Sequence, residues 1–392
     1  MTSIKEFDVL IYGASGFTGR LVAEHFAQHY GSKLAWGLAG RDLDRLAAVR
    51  EEIGAPADVP LVVADADNLP TLSALSARTR MVITTVGPYQ LYGSALVAAC
   101  VQGGIDYLDL SGETAWMRAM IDAHEAEAKA SGARILFSCG FDSVPSELGV
   151  LVLQDAARVT FGCPAVQVKG RIRRIQGGLS GGTVASLRAA AVPAAHDPGV
   201  LALPGDPFCL APGFQGPAQP SGTHAAYDTD VDAWIAPFIM APINTSNVHR
   251  SNLLQHHAYG TDFLYDEMLV TGSGDQGKAI AQAIASDPLS FGSDAARQPG
   301  EGPSRAEQEA GSYDILFIGV NKDGRQIRVS VSGDRDPGYG STSKIIAETA
   351  VLLGESTNVL GGVWTPGAAL GRDLANRLVA RAGLTFAVEV VQ

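Results

Sequence analysis

The chain has 392 residues, of which 46% are hydrophobic and 18% charged, and this balance predicts about two or three folded domains rather than a disordered chain. A formal net charge of -12 argues against nucleic acid as the main partner. The four scattered cysteines form no CxxC pair, which argues against a disulfide framework or a zinc site and predicts a cytoplasmic setting. No apolar run is long enough to predict a transmembrane segment, although residues 233–243, "AWIAPFIMAPI", leave a peripheral membrane contact open.

Short apolar segments alternate with helical periods through the first 145 residues. This alternation is typical of a parallel sheet that is covered by helices on both faces. We therefore predict an α/β, Rossmann-type doubly wound domain over residues 1–145. Its predicted strands cover residues 7–13, 34–40, 59–65, 80–87, 105–111 and 133–140.

After residue 145 the pattern changes to alternating apolar and polar residues. Strands are predicted at 165–175 and 259–272, and Asp323-Gly324 supplies the turn of a hairpin over 313–333. These strands predict a second, α+β domain over 146–337 with a largely antiparallel sheet.

Three further segments complete the predicted organisation. The Pro- and Gly-rich residues 192–224 predict an ordered loop or lid, and residues 293–311 a mobile surface insertion. The helical periods within 338–392 are expected to pack back onto the first domain.

The first predicted strand runs into a loop with three glycines, and a helix follows. Gly13 allows a sharp turn, Gly16 lets backbone N–H groups approach a pyrophosphate, and Gly19 lets the helix pack closely on the sheet. The helix N-terminus offers unpaired N–H donors to an anion. In this strand-to-helix context the triplet predicts a dinucleotide site rather than a bare turn. The predicted contacts are Gly13, Ala14, Ser15, Gly16, Phe17, Thr18 and Gly19.

The residue that follows the second strand discriminates between the two nicotinamide cofactors. An acidic residue there binds the ribose hydroxyl of NAD, whereas a basic one favours the 2′-phosphate of NADP. Arg41 occupies this corner and its planar guanidinium suits phosphate, whereas Asp42 is expected to cap the next helix. We predict NADP, and a solvated Arg41 is the alternative.

Further cofactor contacts are expected at Asp65, Ala66, Thr85, Val86, Gly87 and Pro88. For the last four of these residues, a turn that merely ends the strand is an equally open interpretation.

Few side chains are candidates for proton transfer or for orienting a substrate. Tyr89 follows the fourth strand, where a phenol could face the nicotinamide or pack against the second domain. Asp142 and Ser143 follow the sixth strand, where helix capping is the favoured alternative to catalysis. His249 and Arg250 form the strongest polar pair of the second domain and could bind a carbonyl or thioester oxygen. Motifs of short-chain dehydrogenases, zinc hydrolases and esterases are absent, so no metal is predicted.

Nine segments, spread over most of the chain, resemble the saccharopine dehydrogenase-like oxidoreductases. The similarity is greatest to the branch that includes the trans-acting enoyl reductases of mycobacterial lipid and polyketide synthesis. This resemblance implies an NADPH-dependent reductase of a C=C or C=O/C=N bond, with a second domain over the carboxyl edge of the sheet. The segments are "GASGFTG", "AGRDLDRL", "VGPYQLYG", "YLDLSGE", "CGFDSVPSELG", "GGT", "WIAPFIMAPI", "NVHRSN" and "DPGYGSTSKIIAE".

The identity of the substrate stays open among three interpretations. The apolar "WIAPFIMAPI" favours a hydrophobic small molecule or a carrier-bound acyl chain. Lys169, Arg171 and Arg173 share one strand face, which is more often solvated but could bind a saccharopine-type amino acid. Because no clear acid–base pair is evident, a non-catalytic NADP-binding protein with a lipid- or protein-association domain is the third interpretation. Gly181–Thr183 could bind a phosphate at a helix start, and a homodimer is left open.

Overall fold

Two sheets organise the chain in its computed structural model, which describes residues 5–177, 205–287 and 301–389. The strands in these residues are β1 (Val9–Tyr12), β2 (Trp36–Gly40), β3 (Leu61–Val63), β4 (Met81–Thr84), β5 (Asp106–Leu108), β6 (Arg134–Leu136), β7 (Gln167–Gln176), β8 (Ala226–Asp228), β9 (Ala233–Pro237), β10 (Leu264–Gly272), β11 (Ser312–Val320), β12 (Gln326–Gly333), β13 (Gly362–Trp364) and β14 (Leu384–Glu389). The helices are α1 (Phe17–Tyr30), α2 (Leu43–Glu52), α3 (Leu69–Arg78), α4 (Tyr89–Tyr92), α5 (Ser94–Gly103), α6 (Thr114–Ser131), α7 (Val144–Phe161), α8 (Ala241–Leu254), α9 (Gly274–Ser286), α10 (Arg305–Ala310), α11 (Thr342–Glu355) and α12 (Pro366–Arg381).

The first sheet is parallel, with the strand order β3-β2-β1-β4-β5-β6-β13 in the described residues. All four residues of β1 are buried, because helices cover both faces of a sheet of this kind. The predicted Rossmann-type sheet and its six strands are confirmed. Strand β13 was not predicted, since three residues carry too little periodicity to be read as a strand.

The second sheet has the order β14-β12-β11-β7-β10-β9-β8 within the described part of the chain. Strands β7 and β10 pair in parallel and the other neighbours pair antiparallel. The predicted hairpin is confirmed as β11 and β12, with Gly324 at φ +84° in the turn between them. Helix α7 packs on this hairpin, so the second sheet has a buried face on this side.

The C-terminal residues contribute to both sheets. Helix α11 packs on α1, and β13 extends the first sheet beside β6. Strand β14, however, pairs with β12 at the edge of the second sheet. The sequence analysis did not predict β14 at this edge, and the division of the chain at residue 145 stays a prediction.

Three predicted features lie at least partly outside the described residues. The structure does not describe the predicted helix start at Gly181–Thr183, residues 192–204 of the predicted loop or residues 293–300 of the predicted insertion. Residues 205–224 form an ordered segment of turns whose Cys209 and Leu210 are buried. Residues 301–311 differ from the predicted mobile insertion, because they contain α10. This helix begins with a capping box between Ser304 and Glu307. In the part of the chain that the structure describes, no helix has the length and apolarity of a membrane span.

Candidate cofactor and substrate site

The glycine loop joins β1 to α1 at the carboxyl edge of the first sheet. Gly13 has φ +87°, a conformation that favours glycine. A Cβ on Gly19 would lie 2.2 Å from the carbonyl oxygen of Gly13, so the helix approaches the loop as closely as backbone allows. Gly16 is the N-cap of α1 and supplies no side chain to its N–H groups. The first turn of α1 therefore keeps unpaired donors for an anion.

Substitution of Gly19 tests this close approach. We expect Gly19→Ala to abolish tight NADPH binding, because the added methyl group meets backbone that cannot move without opening the loop. Gly103→Ala is the matched control, since a Cβ there has no neighbour closer than 3.8 Å. Fluorescence titration with NADPH, together with the thermal unfolding midpoint, checks both variants. Wild-type affinity in Gly19→Ala would contradict the interpretation.

The corner after β2 contains the predicted phosphate-binding arginine. Asp42 caps α2 by accepting a hydrogen bond from Arg45 N at 3.0 Å, as predicted. Arg41 is exposed and makes no hydrogen bond or ion pair with any residue that the structure describes. Burial and the charge of Asp65 raise the pKa of Tyr12 to about 12, and the charge of Arg41 opposes them. An uncapped helix start and a free guanidinium fit the diphosphate and 2′-phosphate of NADP.

Arg41 is expected to decide the cofactor preference. Arg41→Ala should weaken NADPH binding about tenfold to a hundredfold, the value of a charge-assisted hydrogen bond, and leave NADH binding unchanged. Arg80→Ala is the control, because Arg80 is also exposed but precedes β4 at the opposite edge of the sheet. Titration of each variant with both cofactors measures the change. If wild type bound NADPH and NADH with equal affinity, Arg41 would not select the cofactor.

The loops that follow β4, β5 and β6 are joined into one wall of the crevice. Thr85 Oγ1 donates a hydrogen bond to the Gly13 carbonyl at 3.3 Å, which links the β4 loop to the glycine loop. Glu113 accepts hydrogen bonds from the backbone N–H groups of Tyr89 and Gln90 at 2.9 and 2.7 Å. Asp109 accepts from Ser138 N at 3.1 Å and so ties the β5 loop to the β6 loop. The half-buried Thr85 and Val86 and the adjoining Gly87 and Pro88 line this wall.

Tyr89 lies inside this wall rather than on its surface. Its hydroxyl donates to the Thr84 carbonyl at 3.3 Å and accepts from Leu110 N at 3.1 Å. Its ring stacks on Trp116, and burial raises its pKa well above the ordinary value. These contacts hold Tyr89 within the first domain rather than against the second, and its catalytic role stays a prediction without structural support.

The loop after β6 presents a carboxyl group with few partners. Ser143 occupies the N-cap position of α7, but its side chain does not cap the helix and instead accepts a hydrogen bond from Asn247 Nδ2 at 2.9 Å. The capping expectation is therefore wrong for Ser143. Asp142 is half-buried, and its buried Oδ1 has no hydrogen-bond partner among the described residues. Burial, together with the negative charge of Glu267, raises the pKa of Asp142 to about 7.

A buried polar cluster stands behind Asp142, and sequence reasoning missed it. Glu267 of β10 accepts hydrogen bonds from Tyr265 Oη and, at 2.8 Å, from Asn244 Nδ2 of α8. Burial raises the pKa of Glu267, and the hydroxyl of Ser146, in the first turn of α7, opposes that rise. The alternating pattern predicted β10 as a strand, but only the packing of α8 on β10 and α7 brings these polar groups together.

His249 and Arg250, which the sequence suggested as a substrate-binding pair, are both buried in the structure. The His249 ring packs between Phe208 and Phe263, and burial lowers its pKa to about 3, so it is neutral near pH 7. The Arg250 guanidinium is buried and donates hydrogen bonds to the carbonyls of Leu210, at 2.8 Å, and Val363. Arg250 is thus committed to joining α8 to the first domain, and the catalytic role of His249 stays a prediction without structural support.

The basic face of β7 is neutralised within the second sheet. The solvated face that was expected is wrong for Arg171, which is buried and paired with Asp228 at 2.6 Å and Asp266 at 2.7 Å. Lys169 and Arg173 also pair with carboxylates. Because these cations already have anionic partners, the face offers no free site for the carboxylates of an amino-acid substrate.

A parallel sheet with an uncapped glycine loop at its carboxyl edge defines a nucleotide-binding oxidoreductase of the Rossmann class. Residues 9–136 match the family model described as the saccharopine dehydrogenase NADP binding domain. The cofactor is NADP, and the chain is an NADP-dependent oxidoreductase.

Named relatives are similar in sequence over nearly the whole chain. A Mycobacterium tuberculosis protein, provisionally named a trans-acting enoyl reductase, is 40% identical over 96% of each chain. A trans-acting enoyl reductase of Mycobacterium bovis is 37% identical over 95% of this chain and 96% of its own. Saccharopine dehydrogenase (L-Glu forming) of Saccharomyces cerevisiae shares the fold, with a TM-score of 0.54 at 10% identity over 97% of this chain and 100% of that one. The chain therefore belongs to the saccharopine dehydrogenase-like family, in the branch of the trans-acting enoyl reductases.

Proposed function

We propose that the protein is an NADPH-dependent enoyl reductase that reduces the C=C bond of a hydrophobic, carrier-bound acyl thioester. The names of its relatives support this reaction. The observation that carries the proposal is the half-buried Asp142 carboxyl, which follows β6 at the same sheet edge as the uncapped glycine loop.

The residues of the crevice divide the work of the proposed reaction. The unpaired backbone N–H groups in the first turn of α1 and the Arg41 side chain would hold the phosphates of the cofactor. When bound, NADPH would supply the hydride, with its two electrons, for reduction at the β carbon of the enoyl group. Asp142 then donates its proton to the α carbon, so that the C=C bond gains two hydrogen atoms, and its carboxylate recovers a proton from solvent.

Apolar side chains near the crevice support a hydrophobic substrate. Leu91 and Tyr92 of α4 lie just beyond the β4 loop and are 62% and 37% exposed. Met240, directly before α8, packs with the cluster that contains Tyr89 and Trp116. An acyl chain covering these groups would remove apolar surface from water.

NADPH oxidation followed at 340 nm tests the proposal. The substrate panel contains an enoyl thioester on a phosphopantetheine carrier, the matching β-keto thioester and a cyclic imine. Turnover of the enoyl thioester, with a saturated product seen by mass spectrometry, is the expected result. Tight NADPH binding without turnover of any substrate would favour a non-catalytic binding protein, and preference for the keto or imine substrate would redirect the assignment.

A further inference from the structure

The position of Asp142 depends on its neighbours in the chain. The buried Oδ1 of its carboxyl group has no hydrogen-bond partner among the described residues. Phe141 and Ser143, on either side of it, are buried, and each is hydrogen-bonded to a side chain of a distant helix. The backbone of the β6 loop is thus held on both sides of the acid.

The first of these side chains belongs to Thr342, the buried first residue of α11. Its hydroxyl donates a hydrogen bond to the Pro337 carbonyl at 2.8 Å. The hydroxyl oxygen is therefore left to accept a hydrogen bond from the backbone N–H of Phe141, at 2.9 Å. A Cβ on Gly140 would lie 3.0 Å from the Thr342 methyl group, so the loop and α11 are in close contact here.

The turn over residues 337–341 connects this contact to the glycine loop. Asp336 accepts hydrogen bonds from the backbone N–H groups of Tyr339, at 2.9 Å, and Gly340, at 2.8 Å, and so fixes the turn. The Tyr339 ring packs edge-on against Phe17, the first residue of α1, with their centroids 5.1 Å apart. Thr342 therefore places the β6 loop relative to the helix start at which the cofactor phosphates are proposed to bind.

The second side chain belongs to Asn247, which is buried in α8. Its Nδ2 donates a hydrogen bond to Ser143 Oγ at 2.9 Å. One turn earlier on the same helix, Asn244 donates to Glu267 of β10 at 2.8 Å, which joins α8 to the second sheet. Because α8 begins directly after Met240, Asn247 places the β6 loop relative to the apolar segment proposed to contact the substrate.

We propose that Thr342 and Asn247 are positioning residues that together hold the Asp142 carboxyl group between the cofactor and the substrate. The inference rests on the proposed function, in which Asp142 donates a proton to the α carbon. Proton transfer requires the donor to lie within hydrogen-bond reach of the accepting atom. A small displacement of the β6 loop therefore lowers the rate of the reaction without weakening the binding of NADPH.

Thr342→Val, which keeps the shape of the side chain and removes its hydroxyl, tests this role. We expect kcat for the enoyl thioester to fall about tenfold to a hundredfold, with KM and the affinity for NADPH unchanged. Thr342→Ser keeps the hydroxyl and should recover most of the rate. Thr349→Val is the matched control, because Thr349 is buried on the same helix but its hydroxyl donates to the Ile345 carbonyl of that helix, at 2.7 Å. A loss in Thr349→Val as large as that in Thr342→Val overturns the proposal.

A residue that acts through Asp142 has no effect on the rate once the acid is removed. Thr342→Val should therefore lower kcat in wild type but not in Asp142→Asn. Equal losses in both backgrounds would show that Thr342 acts on the fold in general. Asn247→Leu releases Ser143 from the other side and should show the same dependence on Asp142, so it provides a second variant in case Thr342→Val does not fold.

The titration of Asp142 tests the positioning role without turnover. Protein labelled with ¹³C at the aspartate carboxyl carbons is titrated by NMR, and Asp142→Asn assigns the signal. Burial and the charge of Glu267 raise the pKa of Asp142 to about 7, so a carboxyl group released from this position should titrate about one unit lower in Thr342→Val. An unchanged midpoint in both Thr342→Val and Asn247→Leu overturns the positioning role. A failure of the proposed reaction would appear in the NADPH oxidation assay of wild type, so the two failures are distinguishable.

Discussion

Asp142→Asn is expected to lower the rate of NADPH oxidation by about a hundredfold to ten-thousandfold, the usual contribution of a general acid. The amide keeps the shape of the side chain but cannot release a proton, so the affinity for NADPH should be unchanged. Stopped-flow kinetics with the enoyl thioester and a fluorescence titration with NADPH separate these two effects. A loss of cofactor affinity equal to the loss of rate would show that the residue acts on binding instead.

The pH profile gives the sign of the Asp142 contribution. The protonated carboxyl is the active form and its pKa is raised to about 7, so wild-type activity should be full below pH 7 and fall as the pH rises through that value. The residual activity of Asp142→Asn should lack this limb. Asp155→Asn is the matched control, because Asp155 lies on α7 but pairs with Arg158 and Arg372 at the surface. If Asp142→Asn showed the same fall in activity above pH 7, that fall would belong to another ionisable group.

Glu348→Ala is expected to destabilise the protein by about 3–5 kcal/mol, because it leaves buried polar partners unpaired. The Glu348 carboxylate is fully buried in α11. It accepts hydrogen bonds from His25 at 2.7 Å, from Tyr30 at 2.7 Å and from Arg377 Nε at 2.7 Å, and so joins α1 to α11 and α12. Urea unfolding followed by circular dichroism measures the free energy of unfolding.

Glu355→Ala is the control for Glu348, since Glu355 contacts the same guanidinium at 2.7 Å from a largely exposed position. Its loss should cost about 1 kcal/mol or less. Burial would raise the pKa of Glu348, but hydrogen bonds from His25, Tyr30 and Arg377 outweigh it and lower the pKa to about 2. The stabilisation is therefore complete above pH 4.5 and is lost as the pH falls towards 2. If the difference in free energy of unfolding between wild type and Glu348→Ala did not shrink as the pH falls from 4.5 towards 2, the assignment would be wrong.

The parts of the fold that could be read from the sequence are those with local signals. The helix Phe17–Tyr30 and the six strands of the Rossmann sheet each show their own periodicity within a few consecutive residues. The Asp42 cap and the Gly324 turn depend on neighbouring backbone alone. Strand β13 escaped detection because it becomes a strand only by pairing with β6, more than two hundred residues earlier in the chain.

Side-chain roles were harder to predict because they depend on distant partners. Arg171 stands on an alternating strand, and nothing in that pattern indicates that Asp228 and Asp266 enclose it. His249 and Arg250 have the chemistry of a substrate-binding pair, yet packing buries the ring and commits the guanidinium to backbone carbonyls.

By itself the sequence predicted a nicotinamide cofactor, because the strand, the glycine loop and the helix start are features of local backbone. The tertiary structure decided which side chains stand ready for chemistry. Asp142 follows a strand of the first sheet and Glu267 lies on a strand of the second, and the affinity of a carboxyl group for its proton depends on the burial, charges and donors around it. Those surroundings exist only after the two sheets have packed together.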